Sequence, residues 1–375
     1  MATTFKTLTS NDVTTTRTLL HEAIPMTGSI VSGTYAASGN IKTYSHGMFA
    51  STYDYPYLSS SANHVFDISM GYSSNCTLSD STNTQHTKKI NLYNQMAQVL
   101  VGHDTTGSIR EFDEDGNLAG GIKIRDAIFM NFARLLTKDE IKKGSFQLEL
   151  GVSGGYNEDG TAFQKRIKIT DLSGSSGYLT NSPAGEYGIL YATASAGDQI
   201  LAADQYYKVG LIYYQAGIAV LSGSKIFNDS TQTANPGILN PSITTGGAGT
   251  VSLTASHHTS GAVGYKSIQD TTINLMAASI RNRIYNLQFN NTTELNSTIY
   301  FCRANHNDFN YSSNATYLTG SKIRVKTSTT DSPVSYITTI GLYSADNELL
   351  AVAKLSEPLK KTPETELTLR VRLDY

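Results

Sequence analysis

At 375 residues with a net charge near −2, the chain is long enough to bury a large core and shows no electrostatic footprint for nucleic acid. Charged residues make up only 16%, against roughly 25% in ordinary soluble proteins. The 31 Gly and 23 Tyr that help fill the difference argue against long solvated helices and for β-structure with many turns.

Residues 1–62 are rich in Thr, Ser and Gly, and 14–24 reads equally as a short helix or a strand. Brief strands are expected at 30–35 and 41–44. Tyr53, Tyr55 and Tyr57 cluster in an extended segment that suits either an interface or a loop packed on one side. A strand is expected over 65–72 and a polar loop over 73–87. A helix over 89–101 carries Ile90, Tyr93, Met96, Ala97 and Leu100 on one face and stops at Gly102. The acidic run from Asp113 to Asn117 has Gly at its fourth place and Ile124 at its twelfth. A calcium loop needs Gly at the sixth and Glu at the twelfth, so this run reads as an ordinary turn.

Strands follow over 122–132, 146–150 and 166–170. Between the first two, Thr137 and Glu140 have the spacing of a capping box, closed by a left-handed Gly144. Residues 206–221 read as a hairpin buried on both faces, turning at Gln215, Ala216 and Gly217. The stretch 228–262, of Ser, Thr, Gly, Asn and Ala with Pro236 and Pro241, reads as a surface arm or binding loop. Ser267 and Asp270 open a second amphipathic helix whose stripe is Ile273, Met276, Ile280 and Ile284. Strands at 285–289 and 298–301 come next, then a turn-rich aromatic segment at 308–312.

The end of the chain gives the strongest pattern. Strands at 334–343 and 348–355 flank the turn residues 344–347, and Pro358 and Pro363 bracket a loop holding Lys360 and Lys361. In the last strand Leu367, Leu369, Val371 and Leu373 alternate with Thr368, Arg370, Arg372 and Asp374. The expected fold class is mainly β: antiparallel sheets, sandwich-like, with about two amphipathic helices. The expected organisation is an N-terminal mainly-β region over 1–227, the arm at 228–262, and a C-terminal helix plus antiparallel sheet over 263–375. The first and last could form one continuous domain.

No stretch offers recognisable catalytic chemistry. There is no phosphate loop, Gly151–Gly155 lacks dinucleotide spacing, and no nucleophile elbow is present. His21–Glu22, His103–Asp104 and His257–His258 lack further ligands at metal spacing. Cys76 and Cys302 lie far apart and read as reduced thiols, which fits a cytoplasmic setting. Neither a signal peptide nor an apolar run of the ~20 residues that span a bilayer is visible. The expected catalytic, cofactor-binding and metal residues are therefore none, no cofactor is expected, and the chain is read as a non-enzyme. Paired acids for glycoside cleavage, set in space rather than in sequence, leave a carbohydrate-active alternative open.

The runs Tyr336-Ile-Thr-Thr-Ile-Gly-Leu-Tyr343, Glu348-Leu-Leu-Ala-Val-Ala-Lys-Leu355 and 367–375 resemble the C-terminal ends of virion structural proteins of T-even-like contractile-tailed phages, those of marine cyanobacteria above all. The segments 308–312, 209–221, 132–146 and 44–48 resemble the same group, so the likeness runs along most of the chain and is weakest over 228–262. The resemblance implies a building block and transfers no active site. It implies a role in the tail, baseplate or neck, with a capsid decoration protein as the alternative and a carbohydrate-binding or carbohydrate-cleaving receptor protein as a second. The implied partners are copies of itself and other virion structural proteins, with no membrane and no direct nucleic acid. The implied location is the virion, assembled in the host cytoplasm.

Overall fold

In the strand Asp126–Phe132, Ala127 and Phe129 turn to one face and Ile128 and Met130 to the other, and all four are buried. A strand that is apolar on both sides must lie inside a sheet covered on both faces. The structure, a computed structural model, describes residues 5–25, 39–152, 165–195, 207–226, 272–312, 316, 318–320, 322–323, 328, 330 and 332–375. The chain is mainly β, 48% strand against 12% helix, with large antiparallel sheets in a sandwich-like arrangement. It divides into two units, 20–293 and 1–19 with 294–375. The sequence reading, with its boundary at 228–262, does not anticipate that division.

The larger unit is built on one antiparallel sheet. In spatial order its strands are Ile41–Thr43, Ala50–Tyr53, His64–Tyr72, Asp126–Phe132, Ile218–Ser222, Tyr207–Tyr213, Gly185–Ser195, Lys165–Thr170, Gln147–Val152 and the first half of Ile284–Ala304. The expected hairpin, described from Tyr207 onward, sits at its centre, turning at Gly217 with φ +66°. One face buries Ile68, Met70, Ile128, Met130 and Leu221 together with Ile273, Met276, Ala277 and Ile280 of the helix Ile273–Arg283. The other buries Phe129, Leu211, Tyr213 and Val220 with Tyr93, Ala97 and Leu100 of the helix His86–Leu100. That second helix lies so close to the strand His64–Tyr72 that a Cβ on Gly71 would stand 2.3 Å from the Lys89 carbonyl oxygen. Only glycine allows this approach.

The smaller unit contains the second half of Ile284–Ala304, which pairs with Leu367–Asp374 in antiparallel register from Ser297↔Asp374 to Ala304↔Leu367. Tyr375 exchanges backbone hydrogen bonds with Asn296. A two-stranded hairpin, Ser335–Tyr343 with Leu349–Lys361, forms a sheet of its own.

Several expectations are corrected. Thr137 ends the short helical turn Arg134–Thr137 rather than opening one, and Glu140 belongs to the strand Glu140–Ile141. Lys138, at φ +53°, breaks the chain between them, although Gly144 does adopt a positive φ of 76°. The ambiguous 14–24 segment is strand, Val13–Pro25. The two strands expected at 285–289 and 298–301 are one 21-residue strand. Pro358, Lys360 and Lys361 lie within the strand Leu349–Lys361 and not in a loop. The register explains this: Ile337 pairs Leu359 while Thr339 pairs Lys354, so 355–358 bulge out and no ladder bond is asked of Pro358. Lys361 is fully buried. The expected strand at 30–35, most of Gly151–Gly155, the arm at 228–262, His257–His258 and the Ser267–Asp270 cap lie outside the described residues; the described helix is capped by Thr272, whose hydroxyl accepts from the Leu275 amide at 3.2 Å.

Candidate functional site

Three clusters in the described residues combine groups that chemistry could use. The first is centred on Asp171, 1% exposed just past the strand Lys165–Thr170. Its carboxylate accepts from the Gly144 amide at 2.6 Å, the Phe146 amide at 2.9 Å and the Tyr214 hydroxyl at 3.1 Å. Burial pushes its pKa up to about 6, against the pull of those three donors. Beside it Lys143 lies 2.5 Å from Glu186 and 3.3 Å from Glu140, its ammonium over the rings of Tyr178 and Tyr214. Burial lowers the Lys143 pKa, but the Glu186 and Glu140 carboxylates outweigh it and hold the ammonium above its ordinary value.

A carboxylate that titrates near neutral pH suits general acid–base work only if a substrate can reach it. Both Asp171 oxygens are occupied by donors from the fold, and the residue is closed to solvent. The arrangement fastens the 142–146 turn to the 171–177 turn and to the central hairpin. Its sequence signal, an Asp after an alternating strand, is too common to single out.

The second cluster brings Ser51, Asp67 and His64 together. His64 Nε2 lies 2.8 Å from Asp67 Oδ1, and the Ser51 hydroxyl donates to that same oxygen. Tyr44 completes the chain at 3.2 Å from the Ser51 hydroxyl. In an acyl-transfer triad the imidazole stands between hydroxyl and carboxylate and takes the hydroxyl proton. Here the carboxylate stands between, so the imidazole is not placed to activate Ser51, which is itself buried.

The acidic turn makes the third. Asp113 accepts from the Leu118 amide at 2.8 Å and pairs with Lys123 at 3.2 Å, and Asp115 and Asn117 cap the Asn117 and Ala119 amides. Burial raises the Asp113 pKa. The lysine and the turn's own amides take the place a cation would fill.

Other residues singled out in the sequence are spread apart. His21 contacts the Thr292 hydroxyl at 3.2 Å and Glu22 pairs with Lys138 at 2.7 Å. Asp104 caps the Thr106 and Ser108 amides. Cys76 and Cys302 are both free thiols. Among the described residues no group of three or more His, Cys, Asp or Glu is placed to hold a metal ion, and no helix is long and apolar enough to cross a membrane.

The feature that sequence reasoning understated is a surface. In the hairpin, Tyr336 is 42% exposed, Tyr343 45%, Leu349 53%, Leu350 68% and Val352 52%. Phe5, itself exposed, packs on Tyr343 with ring centroids 4.8 Å apart. Along the same two strands Ile337, Ile340, Leu342, Leu355 and Leu359 are only half-buried. The hairpin's base is anchored where Lys361 donates to the His306 carbonyl at 3.1 Å, the Asn310 side-chain carbonyl at 2.8 Å and the Thr362 carbonyl at 2.8 Å. The Ser335 hydroxyl donates to the Phe309 carbonyl beside it.

Comparison of the chain with protein-family models, with curated proteins and with solved structures returned no match.

Proposed function

We propose that the chain is a non-enzymatic structural protein of a bacteriophage virion, a part of the tail, baseplate or neck that works by self-association and docking. The observation that carries the reading is the hairpin Ser335–Tyr343 with Leu349–Lys361, firmly anchored at its base yet apolar and open to solvent along its length. Isolated two-stranded ribbons are marginal in water, and large exposed apolar patches mark interaction sites. The resemblance to contractile-tailed phage proteins rests on these same strands. Partners on this reading are further copies of the chain and neighbouring virion proteins, and the working location is the particle. A capsid decoration protein would use such a surface in the same way.

The test is protein mass spectrometry on density-purified particles from the source that encodes the chain. Recovery at a fixed stoichiometry to the major structural proteins is expected; absence from particles while the protein is abundant in the lysate would overturn the proposal.

A second reading, a carbohydrate-binding receptor protein, is favoured by one observation. The Tyr53 ring packs against Tyr57 and His64 at 6.3 and 5.5 Å, and Tyr55 and Tyr57 are each more than one-third exposed. A glycan array would give discrete hits that Tyr57→Ala abolishes if this reading holds, and none if it does not.

A further inference from the structure

The two strands of the exposed hairpin are guarded very differently. Leu349–Lys361 carries Lys354, Glu357, Pro358, Lys360 and Lys361, and both register shifts of the pair place their extra residues in this strand: 355–358 opposite Thr338, and Leu350 between two paired positions. Charges, proline and bulges are the devices by which proteins keep an edge from pairing with another chain. Ser335–Tyr343 carries none of them. Its nine residues hold no charge and no proline, and it takes no extra residue in either shift. Among the described residues no strand pairs with its outer edge. Consecutive Thr338 and Thr339 are both exposed, so both faces of that edge are open.

We propose that the open edge of Ser335–Tyr343 pairs with the same edge of a second copy, antiparallel about a two-fold axis, to close a four-stranded sheet. Identical edges meet isologously about such an axis, residue i facing j of the mate and j facing i, and with the axis at the centre of the edge Thr339 faces its own copy. Charge selects this occupant. A two-fold pairing lays the same edge against itself, so an edge carrying one sign of charge would repel itself; this edge is neutral throughout and offers nothing to steer in an oppositely charged foreign strand. At about 3.4 Å per residue the paired edges would run for roughly 30 Å. Tyr336, Ile340 and Tyr343 would then flank a continuous ladder instead of water. The inference rests on the self-association part of the proposed function and names the surface responsible.

The experiment is sedimentation velocity on the full chain and on Thr339→Lys and Thr339→Glu, singly and as an equimolar mixture at low salt. Thr339 is the middle residue of the edge and is exposed, and thermal melting confirms that each variant folds; Thr338→Lys and Thr338→Glu serve if either does not. The parent is expected to associate, each single variant to lose roughly tenfold or more in association constant through like-charge opposition, and the mixture to recover it. A variant that associates as the parent does would overturn the edge while leaving self-association through another surface. Single variants that dissociate but fail to recover on mixing would overturn the two-fold arrangement. A parent that stays monomeric would overturn self-association itself, whatever particle proteomics returns.

Discussion

The Tyr214 hydroxyl donates to the Asp171 carboxylate at 3.1 Å, tying the turn of the central hairpin to a loop more than forty residues away in the chain. Asp171 is buried, and its carboxyl is pushed up to about 6 from an ordinary 3.8. An acid whose folded pKa is raised binds more protons folded than unfolded between those values, so its ionisation weakens the fold as pH rises. The Asp171 contribution is therefore expected to be greatest below pH 4, to decline between about pH 4 and 6, and to be flat above. Asp171→Asn, which sets an amide group against at least one fixed donor, should cost about 1–3 kcal/mol. Melting curves of parent and variant from pH 3.5 to 7.5 should show the gap narrowing as pH rises; a constant gap would contradict the account.

Gly71→Ala is expected to be more damaging than its size suggests. The new Cβ would meet the Lys89 carbonyl oxygen and, at 2.8 Å, the Tyr93 amide nitrogen, both backbone of the helix His86–Leu100. Neither can swing aside, so the helix must shift off the sheet, at about 1–3 kcal/mol or more. Urea unfolding checks this; a loss below about 0.5 kcal/mol, ordinary for an exposed surface site, would contradict it.

Lys361→Met should loosen the base of the hairpin. The ammonium satisfies three oxygens in a fully buried position, and methionine keeps the volume while stranding the His306, Asn310 and Thr362 acceptors. A loss of about 2–4 kcal/mol is expected, with faster amide exchange across 305–311 and the hairpin. Unchanged exchange there would show that the lysine is no anchor.

Stopping the chain at Thr365 should destabilise the smaller unit and leave the larger one folded. Only Val371 of the alternating face is buried, and Leu367, Leu369 and Leu373 are half-buried. Their loss is thus worth roughly 4–7 kcal/mol before chain entropy, less than four full burials would give. The strand's partner, 297–304, would be left with an open edge. Two separated melting transitions are expected, the lower one losing cooperativity; a single unshifted transition would contradict the assignment.

The strands with strict alternation were legible in the sequence because the pleat forces a two-residue period on any half-buried strand: 65–72, 146–150 and 367–373 all follow it, while 206–221 was legible as an apolar run on both sides of a turn, as a strand buried on both faces must be. The helix over 89–101 was legible by the same logic at its own period. What misled was local chemistry that tertiary contacts overrule. Thr137 and Glu140 have capping-box spacing, yet Ile141 and Glu140 are drawn into pairing with Asn291 and Thr292. Pro358 reads as a stop, yet a bulge accommodates it. The Asp171 and Asp67 clusters were not legible at all, since each joins residues whose meeting depends on strand order in space. The open edge at 335–343 was half legible: the sequence reveals a strand without charge, but not that its neighbour covers one side only.

Sedimentation equilibrium of the full chain across low to high micromolar concentration tests the central claim, a building block that works by joining copies of itself. Mass rising with concentration to twice that of the chain or beyond is the expected result. A monomer throughout, with the hairpin's amides exchanging equally fast at both ends of the range, would contradict it.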